Sequence, residues 1–232
     1  MSPDVISVST ADGPLPGEFL KAASPPDLVV VFAHGAGAGH RSPFMRNVGQ
    51  RLATAGADVL TFDFPYMAAG RKIADRPPVL EAAFLDAVDA AVAASAAGHV
   101  VLAGKSMGGR MATHLAARPD AWRAPVPLAG VVAFGYPLRP PGPRGGDRVS
   151  HLRHLAVPTL LVQGTRDSFG GPGAIADDVG PVAHLTVLPV ESGDHSLKVR
   201  VSDGRRQADV DDAVVRDVMA WMRGRLRPTA RP

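Results

Sequence analysis

The sequence contains no cysteine. That absence removes disulfides, thiolate metal centres and a cysteine nucleophile, and it gives no sign of an oxidising compartment, so any nucleophile must present oxygen or nitrogen. Aromatic residues are scarce, at 5% of the chain, and the interior must therefore be filled by Ala, Val and Leu, small enough to let helices lie close against a sheet. No stretch reaches about 18 uninterrupted apolar residues, and the first ten residues carry no basic segment followed by an apolar run. Neither a membrane span nor a secretion signal is predicted, and the expected location is cytoplasmic. The net charge of +3 is small. Its two arginine-rich stretches, residues 139–153 and 223–231, contain Pro and Gly and lack interleaved aromatics, which predicts solvated loop and tail and no nucleic-acid partner.

What is present is an alternation of strand and helix signals. A chain of 232 residues that is 46% hydrophobic can bury a substantial core as one domain, spanning residues 1–232. Residues 28–33 (LVVVFA) form a short continuous apolar run rich in β-branched side chains, the mark of a strand buried on both faces. A glycine-rich turn, HGAGAGH, follows it, and then a helix over 45–55 that stops at Gly56. The unit repeats: strand 58–64, Ala-rich helix 79–97 closed by Gly98, strand 99–103, helix 107–117. Strands are expected at 128–134, 159–162 and 184–188, and an amphipathic helix at 208–225. This order predicts an α/β fold with a mostly parallel central sheet flanked by helices on both faces. Residues 1–27 should add antiparallel edge strands and residues 226–232 a flexible tail. The irregular segment 136–150 is long enough for a surface loop or, over residues 140–150, a small flap, and too short for a large cap domain.

The chemistry concentrates at the ends of these strands. Gly104-Lys105-Ser106-Met107-Gly108 matches G-x-S-x-G, a sharp strand-to-helix turn that exposes a serine at a helix N-terminus. The pattern is weak alone. Here it follows an apolar strand and precedes a helix, the context the turn requires. A serine hydroxyl needs a base, and the base needs an orienting carboxylate. Among eight histidines, His195 follows a later strand, and Asp167 follows the strand before it, so both lie at the carboxyl ends where catalytic groups gather. Asp194, Asp177 and Asp178 are rival acids. The oxyanion donors are expected to be the N–H groups of Met107 and Ala36, with Gly35 as the alternative because the register of HGAGAG is ambiguous. Tyr66, in the turn after the next strand, is a candidate substrate contact. Lys105 reads as solvated and without a catalytic part. No metal and no organic cofactor is required.

Taken together, HGAGAG, FDFPY followed by GRK, GKSMGGR, QGTRD and GDHSL resemble the predicted α/β-hydrolase family allied to dienelactone hydrolases, over about residues 28–197. The resemblance implies the α/β-hydrolase fold, a Ser106–His195–Asp167 triad and no large cap. Dienelactone hydrolases proper use cysteine where this chain has Ser106. A carboxylesterase or thioesterase acting on a small-molecule ester or thioester is therefore the expected enzyme, with a small peptidase or acyltransferase as a variant. Some eukaryotic relatives are subunits of chromatin-associated complexes, which leaves a non-catalytic interaction protein as the alternative. Whether the chain acts as monomer or homodimer is open at this level.

Overall fold

The computed structural model describes residues 2–139 and 146–226. Strands β1 (Asp4–Val8) and β2 (Leu15–Leu20) form an antiparallel hairpin. β3 (Leu28–Ala33) leads through the glycine-rich turn into α1 (Pro43–Thr54), β4 (Asp58–Phe62), the short α2 (Pro65–Ala68) and α3 (Pro77–Ala94). Then come β5 (His99–Lys105), α4 (Met107–Ala116), β6 (Leu128–Phe134), β7 (Thr159–Gly164), α5 (Pro172–Val179), β8 (Leu185–Val190) and α6 (Gln207–Leu226). The eight strands make one sheet in the order β1-β2-β4-β3-β5-β6-β7-β8. β2 pairs with β4 antiparallel, and every pairing from β4 onward is parallel. This is the α/β-hydrolase arrangement.

The alternation of side chains along each strand sends successive residues to opposite faces. Val29, Val31 and Ala33 of β3 join Val100 and Leu102 of β5 beneath α3, α4 and α5, with Phe62, Phe64, Phe84 and Met111 filling the layer. Val30 and Phe32 join Val101, Ala103, Val132 and Phe134 on the other face, against Met45, Val48 and Leu52 of α1 and Val214, Val218 and Met222 of α6. Continuous apolar strands are thus explained by two cores, one on each face.

Helix boundaries follow local bonding. α1 ends where expected, with Gly56 at φ 99. α3 ends at Ala94, earlier than the predicted 97: the Ser95 hydroxyl donates to Asp58 Oδ2 at 2.7 Å and its oxygen accepts the Ala97 N–H at 3.1 Å, which draws the chain into an extended path before Gly98. β5 runs two residues further than its apolar stretch, to Lys105. α5 was not foreseen, since only Ile175 and Val179 of its residues are buried. Among the described residues no helix is long and apolar enough to cross a membrane. The predicted tail beyond Leu226 lies outside the described residues, as does 140–145 of the predicted flap. Between β6 and β7 the described residues form only a 3-10 turn, Ser150–His154.

Candidate active site

β5 lies between β3 and β6, and its last residue delivers the chain into α4 through Ser106. The turn is so tight that a Cβ on Gly104 would sit 2.1 Å from the Gly108 carbonyl carbon, and one on Gly108 would sit 2.4 Å from the Ala33 oxygen. Only glycine fits at either place. Ser106 itself has φ 51 and ψ −111, a conformation disfavoured for any residue with a Cβ. The other non-glycine residues with positive φ among those described are Ser192 and Leu197. Both flank His195, so backbone strain collects at this site.

The structure brings the three predicted side chains together. His195 Nε2 lies 3.0 Å from Ser106 Oγ, and Nδ1 lies 2.9 Å from Asp167 Oδ2 and 3.1 Å from Oδ1. Asp167 is only 6% exposed. Its oxygens also accept from Gln163 Nε2 at 2.8 Å and the Phe169 N–H at 2.8 Å, and the Phe169 ring stacks on the imidazole at 4.2 Å. An aspartate fixed by two further donors holds the imidazole with Nδ1 protonated and Nε2 free to accept from the serine.

Two of the rival acids have other work. Asp194 accepts from the Ser196 and Lys198 N–H groups at 2.7 and 2.9 Å, which shapes the loop that presents His195. Asp178 pairs with Arg139.

The turn after β3 is held from below. His34, fully buried, hydrogen bonds through Nδ1 to the Gly35 carbonyl at 2.7 Å and accepts the Phe64 N–H on Nε2 at 3.0 Å. Nε2 is thereby an acceptor and Nδ1 carries the proton. Burial pushes the His34 pKa below its ordinary value, against the Gly35 bond and Asp63, which raise it. In a trans peptide N–H and C=O point in opposite directions, so anchoring the Gly35 carbonyl to a buried histidine turns the Ala36 N–H the other way, toward the cavity that Ala36 lines. This geometry favours Ala36 over Gly35 as a donor. The Met107 N–H, first in α4, has no intrahelical acceptor.

Two expectations are corrected. Tyr66 is fully buried, and its hydroxyl donates to the Ala36 carbonyl at 2.9 Å. It buttresses the turn from behind and does not line the cavity. Burial pushes its pKa to about 12, so it remains a donor. Lys105 is not solvated: it is 8% exposed, its ammonium donates to the His195 carbonyl, and it lies 5.5 Å from the Phe44 ring centroid. Burial pushes its pKa down to about 8 against the pull of Asp167 and Asp194. Its position as the last residue of a central strand was the available signal. Gln163 and Phe169 were also missed; Gln163, placed four residues before the acid in a strand with no other polar buried side chain beyond Thr159, was detectable as a buried polar residue needing partners.

Ser106 opens into a cavity of about 920 Å³, lined among others by Gly35, Ala36, Phe44, Met107 and Leu80. Arg110 and Arg148 line it too.

A search of curated proteins finds no match to this sequence. Solved structures share its fold at low identity. A serine hydrolase homologue from Coxiella burnetii superposes with a TM-score of 0.73 at 15% identity, covering 94% of this chain and 98% of that one. A serine hydrolase without a lid from Xanthomonas campestris gives 0.73 at 16% identity, covering 100% and 98%. A dienelactone hydrolase from Anabaena variabilis gives 0.69 at 22% identity, covering 98% and 100%. The family model described as an alpha/beta hydrolase domain matches residues 26–223, and with that match over most of its length the chain belongs to the α/β-hydrolase family.

Proposed function

We propose that the protein is a serine hydrolase that cleaves an ester or thioester through an acyl-enzyme, with Ser106 as nucleophile, His195 as base and Asp167 as orienting acid. The observation that carries this reading is the continuous hydrogen-bonded chain from Ser106 Oγ to His195 and on to Asp167, at 3.0 and 2.9 Å. His195 Nε2 takes the hydroxyl proton as Oγ attacks the substrate carbonyl. The Met107 and Ala36 N–H groups stabilise the oxyanion, and α4 adds the positive end of its dipole. His195 returns the proton to the leaving alcohol or thiol, then activates water to release the acid. All the groups this chemistry needs are supplied by the chain.

The names of the structural relatives, serine hydrolases and a dienelactone hydrolase, support the reaction class. Serine in place of cysteine at position 106 favours ordinary esters or thioesters over dienelactones. A fluorophosphonate probe tests the reading: it should form an adduct on Ser106, located by peptide mass spectrometry, and Ser106→Ala should abolish it. Ester turnover in that variant should fall by about 10⁴-fold or more. A folded wild-type protein that stays unlabelled would sink the proposal.

A further inference from the structure

Two arginines that line this cavity make no ion pair among the described residues. Arg110 sits one turn into α4, its N–H donating to the Ser106 carbonyl at 3.0 Å, so its guanidinium is carried by the same helix that begins at the nucleophile. Arg148 reaches the same cavity from the connection between β6 and β7 and is fixed there. Its carbonyl accepts from the buried Tyr136 hydroxyl at 2.7 Å, and its Nη1 donates to the Pro137 carbonyl at 3.2 Å. Asp147 accepts from the Val149 and Ser150 N–H groups at 2.9 and 3.0 Å, which locks the turn that carries it. Arg148 is therefore a positioned side chain.

Neither guanidinium makes an ion pair among the described residues, and the Nε of each is shielded from water without a hydrogen-bond partner. The rest of the chain, Met1 and residues 140–145 and 227–232, contains no Asp or Glu that could supply a side-chain partner. Several arginines elsewhere are paired: Arg71 holds Asp75, Arg118 holds Glu81 and Arg139 holds Asp178. The carboxylates that do line the cavity are committed. Asp75 is taken by both terminal nitrogens of Arg71 at 2.7 and 3.0 Å, and Asp211 accepts from Asn47 and Gln207 at 2.7 and 2.8 Å. Of the cavity's other cations, Lys105 is tied to the His195 carbonyl. Burial, then the facing charge of Arg110, holds Arg148 below its ordinary pKa. Two partly desolvated like charges on one cavity wall are destabilising until an anion enters.

We propose that Arg110 and Arg148 form a carboxylate subsite beside Ser106, so that the substrate is an ester or thioester bearing a free carboxylate a few bonds from the scissile carbonyl. This rests on the serine-hydrolase reading of the same cavity. The planar fork of a guanidinium matches a carboxylate with two parallel hydrogen bonds, and a pair of forks both orients the acyl chain and discriminates against neutral esters. Half-esters and half-thioesters of short dicarboxylic acids have this chemistry.

The test compares kcat/KM for the mono-p-nitrophenyl ester of glutaric acid with that for p-nitrophenyl butyrate, in the wild type, Arg110→Gln and Arg148→Gln. The wild type should favour the charged ester, and the charged-to-neutral ratio should fall about 10- to 100-fold in each variant. An unchanged ratio, or a parallel loss on both esters, would overturn the proposal. Calorimetric titration of Ser106→Ala protein with glutarate separates it from the hydrolase reading. Saturable binding that disappears when Arg148→Gln is added supports the subsite even if no ester is hydrolysed. Hydrolysis of the neutral ester with no glutarate binding and no charge preference would remove the subsite and leave the hydrolase standing.

Discussion

At most positions in a folded chain glycine is less stable than alanine, but at Ser106 the order should reverse. With φ 51 and ψ −111 the residue occupies backbone space open to glycine and costly for any side chain with a Cβ, by about 1–3 kcal/mol. Ser106→Ala keeps the Cβ and loses the hydroxyl's bond to His195. Ser106→Gly loses the same bond and also releases the strain, while the greater freedom of glycine in the unfolded chain takes back about 0.4–1 kcal/mol. The glycine variant should therefore be more stable than the alanine variant by about 1 kcal/mol. For a chain of this length that is about 2–4 °C in Tm. Ala82→Gly, on the exposed face of α3, supplies the contrast and should lower stability by about 1 kcal/mol. Thermal and urea unfolding followed by circular dichroism measures all three. If Ser106→Gly unfolds at or below the temperature of Ser106→Ala, the strain argument is wrong and the turn is relaxed around its serine.

Gln163→Leu should cost about 3–4 kcal/mol, because it strands the buried Tyr136 N–H, which now donates to Gln163 Oε1 at 2.7 Å, and removes a donor from Asp167; a Tm within about 3 °C of wild type would contradict this. Tyr66→Phe should lower ester turnover about 3- to 10-fold with little change in KM, since it frees the Ala36 carbonyl and loosens the oxyanion turn. A selective rise in KM would instead mean that Tyr66 meets substrate. Stability should also fall in acid. Burial holds His34 below its ordinary pKa of 6.5 and, aided by the nearby charges of His114 and Arg110, takes His151 from 6.5 down to about 3. The unfolded chain binds both protons first, so stability is full above about 6.5 and declines toward pH 3, by up to about 1.4 kcal/mol per pH unit for each histidine. Urea midpoints that stay constant between pH 7 and 4 would refute the assignment.

Much of this arrangement was readable from local pattern. β3 is continuously apolar because both its faces are buried, and Ser106, Asp167 and His195 could be ordered because each closes or follows a strand. The register of the proposed oxyanion turn was not readable: every residue of HGAGAG after its histidine is small, and what favours Ala36 is a pair of buried side chains, His34 and Tyr66, one of them some 30 residues away in sequence. Lys105 misled because a lysine beside an exposed serine looks solvated; its burial depends on the histidine loop folding back from position 195. That Arg110 and Arg148 line one cavity is likewise a product of tertiary closure, invisible while one belongs to a helix and the other to an irregular loop.

The tie between Lys105 and the His195 carbonyl bears on the second half of the proposed reaction. In the proposed acyl-enzyme Ser106 Oγ would have no proton to offer, and the imidazole would lose its link to the serine at the moment it must capture water. The Lys105 ammonium, anchored one residue earlier on the same strand, still grips the histidine's own backbone. The loop is stitched to the elbow by a bond that the chemistry never touches, so the base waits in register while the acyl group comes and goes.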